Sequence, residues 1–113
     1  MEKKGRESNN ESRVLRMMIV KIHKAEKRKM VSICDKDILG KKFEEGDLQL
    51  EVSKVFYNGQ DLSEEETLQV IADAGSLNIV GDSSIKFALK NKLIDKQNII
   101  RIKKIPHAIA VLR

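Results

Sequence analysis

From Val14 to Val111 the chain is built of short apolar runs separated by charged breaks, and most of the runs carry the two-residue period of strands. Met18, Val20 and Ile22 share one side of a first run, with Lys21 and His23 on the other. After the charged turn Ala25–Lys29, the alternation resumes with Val31 and Ile33 in Met30–Cys34. Two such runs joined by a short polar connection predict an antiparallel hairpin, with Lys24, Lys27, Arg28 and Lys29 at its tip. Asp35 can cap a short helical turn that Gly40 ends. Lys41–Asp47 reads as a charged loop around Phe43. Leu48, Leu50 and Val52 alternate with Gln49, Glu51 and Ser53, the mark of a half-buried strand. Lys54–Gly59 fits either a strand extension or one helical turn.

The helical period enters only after Leu62. Ser63 with Glu66 three residues on is a capping box, and Glu64 and Glu65 suit the positive end of a helix dipole. Leu68, Ile71 and Ala72 supply the apolar stripe and Gly75 the stop. Ser76–Gly81 reads as a short apolar link. Asp82 or Ser83 is then expected to cap a second helix bearing Ile85, Leu89 and Leu93. Ile99–Ile102 and His107–Leu112 read as two last strands broken at Pro106. Strands segregated from a helical pair predict an α+β fold, with a mixed or antiparallel sheet of about five strands and two main helices on one face. Met1–Arg13 has no apolar residue after Met1 and is expected to be a disordered polar tail ahead of a single domain at 14–113.

Composition narrows the class. At 113 residues, 41% hydrophobic and 35% charged, this is one domain with a lean core. Phe43, Phe56, Tyr57 and Phe87 are its only aromatics, so aliphatic side chains must fill the interior. Cys34 is the single cysteine, which rules out an intramolecular disulfide and, with only His23 and His107 beside it, argues against a transition-metal site. No cofactor is expected. No apolar run reaches the roughly 18 residues of a membrane span, and the expected location is the cytoplasm.

Charge is segregated along the chain: residues 1–34 carry +6, residues 35–74 carry −7 and residues 75–113 carry +6. If the ends meet in the fold, Lys24, Lys27, Arg28 and Lys29 join Arg101, Lys103 and Lys104 in a basic face suited to an acidic partner. The competing reading is an ordinary solvated surface.

Chemistry-bearing residues are few. Cys34 with a distant His107 suggests a thiol and its base, yet Asp35 beside it disfavours the thiolate, so a structural cysteine is expected. Gly81 before Asp82-Ser83-Ser84 resembles the start of an anion site, but no Gly-Lys-Ser/Thr follows. His107 is the residue best placed to titrate or touch a partner. Phe56 and Tyr57 offer adjacent rings, more in keeping with packing than with base stacking. The acidic stretch from Glu44 to Glu66 lacks the spacing of a calcium loop.

Six spaced motifs carry a resemblance: Cys34–Phe43 (CDKDILGKKF), Gly46–Leu50 (GDLQL), Phe56–Gly59 (FYNG), Leu77–Gly81 (LNIVG), Ile94–Asp95 and Ile105–Ala108 (IPHA). Over about Met18–Val111 the sequence resembles an archaeal family of short proteins known only as domain of unknown function four-two-four. The resemblance implies an archaeal, cytoplasmic α+β domain and supplies no activity. Its motif positions here are Asp35, Gly40, Phe56, Tyr57, Asn78, Gly81, Pro106 and His107.

The leading functional expectation is a non-enzymatic domain that binds RNA or a ribonucleoprotein through the basic face. One rival is an enzyme or small-ligand binder with Asp35, Tyr57, Asn78, Gly81 and His107 in a pocket. A second is a protein–protein adaptor that uses the acidic middle segment.

Overall fold

The computed structural model describes residues 17–112; the expected polar tail at 1–13 lies outside them. Strands β1 (Met18–Ala25) and β2 (Arg28–Cys34) form the expected hairpin, with Ile19 opposite Cys34 and Ala25 opposite Arg28. A 3-10 turn at Lys36–Ile38 follows, and here Asp35 makes no side-chain cap. The stretch read as a loop at 41–47 is instead strand β3 (Lys42–Glu45) turning at Gly46 into β4 (Leu48–Glu51), a separate two-stranded hairpin. Helix α1 (Lys54–Tyr57) is a single turn capped by Ser53, whose Oγ accepts from Phe56 N at 3.2 Å. A short strand β5 (Gln60–Leu62), unsignalled in the sequence, returns to pair with β1.

Helix α2 (Glu64–Ile71) starts where its capping box predicts. Glu66 N donates to Ser63 Oγ at 3.1 Å, and Ser63 N donates to Glu66 Oε1 at 2.9 Å. The segment read as a link, Ser76–Val80, is strand β6 at the centre of the sheet, parallel to β2 and antiparallel to β8. Leu77, Ile79 and Val80 are fully buried, which is why the strand lacks the clean alternation of a one-sided one. Helix α3 (Asp82–Lys90) follows, then a 3-10 turn at Lys96–Asn98, β7 (Ile100–Ile102) and β8 (Ile105–Val111). The break between these last strands is at Lys103 and Lys104, both at positive φ, as in a type I′ hairpin turn. Pro106 does not break β8. It sits just beyond the last β6 pair, Val80 with His107, where no N–H is required of it for that ladder.

The result is an α+β fold with a mixed six-stranded sheet in the order β5-β1-β2-β6-β8-β7. On one face, Met18, Val20, Val31, Ile33, Leu77, Ile79 and Ala108 pack against Ile71 of α2 and Ile85, Phe87 and Ala88 of α3. Burying each large side chain there is worth roughly 1.5–3 kcal/mol. The other face is only half roofed. Ile38, Leu50, Val52 and Tyr57 cover Ile19, Cys34, Val80 and Ile102 at the end of the sheet where β2 and β6 finish. Towards the β1–β2 turn the same face is uncovered, and Ile109 and Val111 are 59% and 74% exposed. Among the described residues no helix is long and apolar enough to cross a membrane.

Candidate functional site

Where the roof ends, the half-covered face carries a row of polar groups. Registers put Ser32 beside Asn78 and Val80 beside His107, so Asn78 and His107 project from neighbouring strands on one face. Tyr57, at the end of α1, reaches down from the roof. Its hydroxyl donates to Asn78 Oδ1 at 2.6 Å, and His107 Nε2 lies 3.0 Å from the same oxygen. Burial lowers the His107 pKa, which favours the neutral ring; with the Tyr57 hydroxyl donating to Asn78 Oδ1, the partner of Nε2 is an acceptor oxygen and Nε2 carries the proton. Burial, with a smaller effect of Cys34, pushes the Tyr57 hydroxyl up to about 12.

A second cluster flanks the first. His23 Nε2 donates to Phe56 O at 3.0 Å and lies 3.3 Å from Ser32 Oγ, which itself donates to Phe56 O at 3.2 Å. Lys21 Nζ donates to Val55 O at 2.5 Å. These groups satisfy the free carbonyls at the end of α1 and tie that turn to the sheet. The His23 ring also stacks on Phe56, with centroids 4.4 Å apart and planes at 23°. Neither His23 nor Ser32 stood out in the sequence, although His23 shares the alternation of Lys21.

The fold therefore joins Tyr57, Asn78 and His107, and it places Asp35 and Gly81 elsewhere. Asp35 caps α3 from 48 residues away in sequence. Its Oδ2 accepts from Ser83 N at 2.9 Å, and its Oδ1 accepts from Ser84 N at 2.8 Å and Ser84 Oγ at 2.7 Å. Gly81 occupies the N-cap position at φ +109°, so neither Asp82 nor Ser83 is the cap expected of them. A carboxylate already fills the helix N-terminus, which removes the anion site considered at Gly81. The neighbouring depression, about 660 Å³, is acidic, lined by Asp35, Asp37, Asp61 and Asp82. Among the described residues no group of three His, Cys, Asp or Glu can hold a metal ion.

Cys34 is fully buried, and its thiol is pushed up to about 12 by burial, then by Asp35 and Asp37. His107 is two strands away in register, roughly 10 Å. That is too far for a nucleophile and its base.

The basic residues do not form one face. The β1–β2 turn lies at the end of the sheet where β2 and β6 begin, and Lys103 and Lys104 lie at the end where they finish. The separation along the strands is on the order of 30 Å. The two hairpins turn in opposite directions, which strand pattern alone does not specify. Arg101 pairs with Pro106 and so belongs to the helix-covered side, and Lys103 N donates to Glu45 Oε1 at 2.7 Å. At the other end, Lys29 Nζ is engaged by Asp73 at 2.5 Å and by Val70 O at 2.7 Å. Lys24 pairs with Lys29 in register and shares its side of the sheet. Lys27 and Arg28 remain, on the rim of a groove of about 700 Å³ whose floor is His23, Met30, Ser76 and Val111. That groove opens onto the uncovered part of the sheet face.

Comparison with known proteins adds family and fold. The family model described as "Protein of unknown function (DUF424)" matches residues 23–112. No curated protein matches the sequence. A solved structure, an uncharacterized conserved protein from Methanopyrus kandleri, superposes with a TM-score of 0.67 at 20% identity, covering 86% of this chain and 94% of that one. At that identity the likeness is one of fold.

Proposed function

We propose that this chain, a protein that belongs to the DUF424 family of unknown function, is a non-enzymatic domain that binds RNA, free or within a ribonucleoprotein. The working surface is the uncovered sheet face and the groove beside the β1–β2 turn. An archaeal, cytoplasmic setting is part of the same proposal. The observation that carries it is the position of Lys27 and Arg28, two exposed cations on the rim of an open groove in which Lys29 and Asp73 pair with each other. Cations at the edge of such a surface attract phosphates while the floor accepts the flat faces of unpaired bases.

Two observations weigh against the rival readings. A hydroxyl at about 12, a thiol at about 12 and a neutral imidazole bound at Nε2 are poor candidates for acid, nucleophile or base at neutral pH. Part of the acidic middle segment is engaged within the chain, with Asp61 on Lys36, Glu64 on Lys90 and Asp35 on α3, which weakens the case for an adaptor.

The test is RNA affinity against salt. Affinity should fall steeply with salt, and K27S/R28S should flatten the slope by roughly two counterions' worth. K103S/K104S, at the far end of the sheet, should leave affinity unchanged. Equal losses in both variants would mean non-specific attraction to net charge, and no binding at low salt would end the proposal.

A further inference from the structure

We propose that the outer edge of β7 receives an extended segment of a partner protein in which carboxylate and aliphatic residues alternate. The carboxylates lie on Arg101 and Lys96, and the aliphatic residues lie beside Ile100. The inference is independent of the RNA reading above, which uses Lys27 and Arg28.

β7 is the last strand of the six-stranded sheet, and its neighbour there is β8. In that pair Arg101 stands opposite Pro106. Pro106 has no N–H to give, and its carbonyl oxygen accepts from Gly81 N at 2.9 Å, on the β6 side. Opposite residues of an antiparallel pair alternate between bonded and non-bonded, and this pair is non-bonded. The N–H and C=O of Arg101 therefore point away from β8, out of the sheet. Among the described residues neither has a backbone partner. An open donor and acceptor on a sheet edge are what strand addition uses. The next donor along, Lys103 N, is met by Glu45 Oε1 at 2.7 Å, which marks one end of the open stretch.

Charge decides the occupant. Arg101 borders a groove of about 600 Å³ between β7 and α3, lined also by Leu89, Lys96 and Ile99. Lys96 and Arg101 are exposed, and neither forms an ion pair among the described residues. No acid lines the groove, and Leu89 and Ile99 are half-buried. A glutamate fits both features: its methylenes cover Leu89 and Ile99 while its carboxylate meets the guanidinium fork of Arg101 or the Lys96 ammonium. On the opposite face of β7, Ile100 is 56% exposed. Side chains alternate across a strand, so a segment with carboxylates in the groove sets its intervening residues beside Ile100, where aliphatic side chains suit. A second copy is a poor occupant. Two β7 strands paired antiparallel about residue 101 would set one Arg101 opposite the other, and like charges there are destabilising. Unpaired bases are poorer still, since no aromatic side chain lines the groove.

The probe is a blocked hexapeptide of alternating glutamate and valine. Its control has the same composition with the glutamates in one block and the valines in the other. Binding of both is measured for wild type, K96S/R101S and K27S/R28S. The alternating peptide should bind wild type and K27S/R28S alike, and K96S/R101S about tenfold more weakly, within what two exposed ion pairs supply. Wild type should prefer it to the block control. In the wild-type complex the Arg101 backbone N–H should also exchange slowly with deuterium, a readout that needs neither variant to fold. No binding of the alternating peptide, equal binding of the two peptides, an unprotected Arg101 N–H, or full affinity in K96S/R101S would overturn strand addition at β7. Loss of oligo(U) binding in K96S/R101S, with neither peptide binding wild type, would assign the groove to RNA instead. Each of these outcomes leaves the part played by Lys27 and Arg28 to its own salt-dependence test.

Discussion

A Cβ built on Gly81 would lie 2.4 Å from Cγ of Asp35, so the absence of a side chain at one residue makes room for the carboxylate of the other. The pair joins the ends of the two parallel strands. Asp35 follows β2, Gly81 follows β6, and the carboxylate passes over the glycine to cap α3. In the backbone, Asp35 N donates to Val80 O at 3.2 Å, which continues the β2–β6 ladder into the cap. One carboxylate thus ends two strands and starts a helix.

This relationship makes the two positions energetically coupled. Asp35→Ala should cost about 1–2 kcal/mol, the upper part of the range for a lost cap, since it removes three hydrogen bonds. Gly81→Ala should cost more, because it adds a clash to a backbone held at φ +109°. In the double variant the clash with Cγ and Oδ1 of residue 35 is gone and only its Cβ, 2.7 Å away, remains, so the combined loss in urea unfolding should fall short of the sum by about 0.5–3 kcal/mol. Strict additivity would mean that Asp35 does not sit over Gly81.

Cys34 should label slowly in the native protein at neutral pH and quickly once unfolded. The thiol is fully buried, and its pKa is pushed up to about 12, so the native thiolate fraction is minute. Labelling at the rate of an exposed thiol would contradict its placement under the roof.

Ser63→Ala should destabilise the protein by about 1 kcal/mol, since it breaks one half of a complete capping box. Ser63→Asp should largely restore stability, because a carboxylate can accept the same Glu66 N–H. Equal losses for the two substitutions would place the start of α2 elsewhere.

The parts of the fold written locally were legible, and the parts that depend on distant partners were not. The β1–β2 hairpin and the start of α2 follow from alternation and from a four-residue box, each complete within its own segment. The cap of α3 escapes a local reading because the adjacent Asp82 offers a local solution, whereas the structure uses Asp35 from the end of the neighbouring strand β2. β6 reads as a link because a central strand buried on both faces loses its alternation. β3 and β5 are too short and too charged to announce themselves. Tyr57, Asn78 and His107 were grouped through family resemblance, and their convergence depends on the parallel β2–β6 pairing, which no local pattern reveals. The same pairing sends Lys103 and Lys104 to the far end of the sheet. A charge sum over the chain termini could not anticipate that.

His107 should make stability depend on pH in a stated direction. Burial lowers its folded pKa below the ordinary value of 6.5, so the unfolded chain takes up a proton at a pH where the folded chain does not. The stabilisation from keeping the ring neutral is complete above about pH 6.5 and is lost as pH falls from there through the lower folded pKa. Wild type alone cannot isolate the contribution of one ring. His107→Gln provides the comparison: its amide N–H2 can occupy the place of Nε2–H and donate to Asn78 without titrating. Urea unfolding between about pH 5 and 7.5 should therefore show wild type losing stability on acidification more steeply than H107Q, with the difference vanishing at the upper end. Parallel curves would mean that the folded and unfolded states protonate His107 alike, and the hydrogen bond from a neutral Nε2–H to Asn78 would then have to be abandoned.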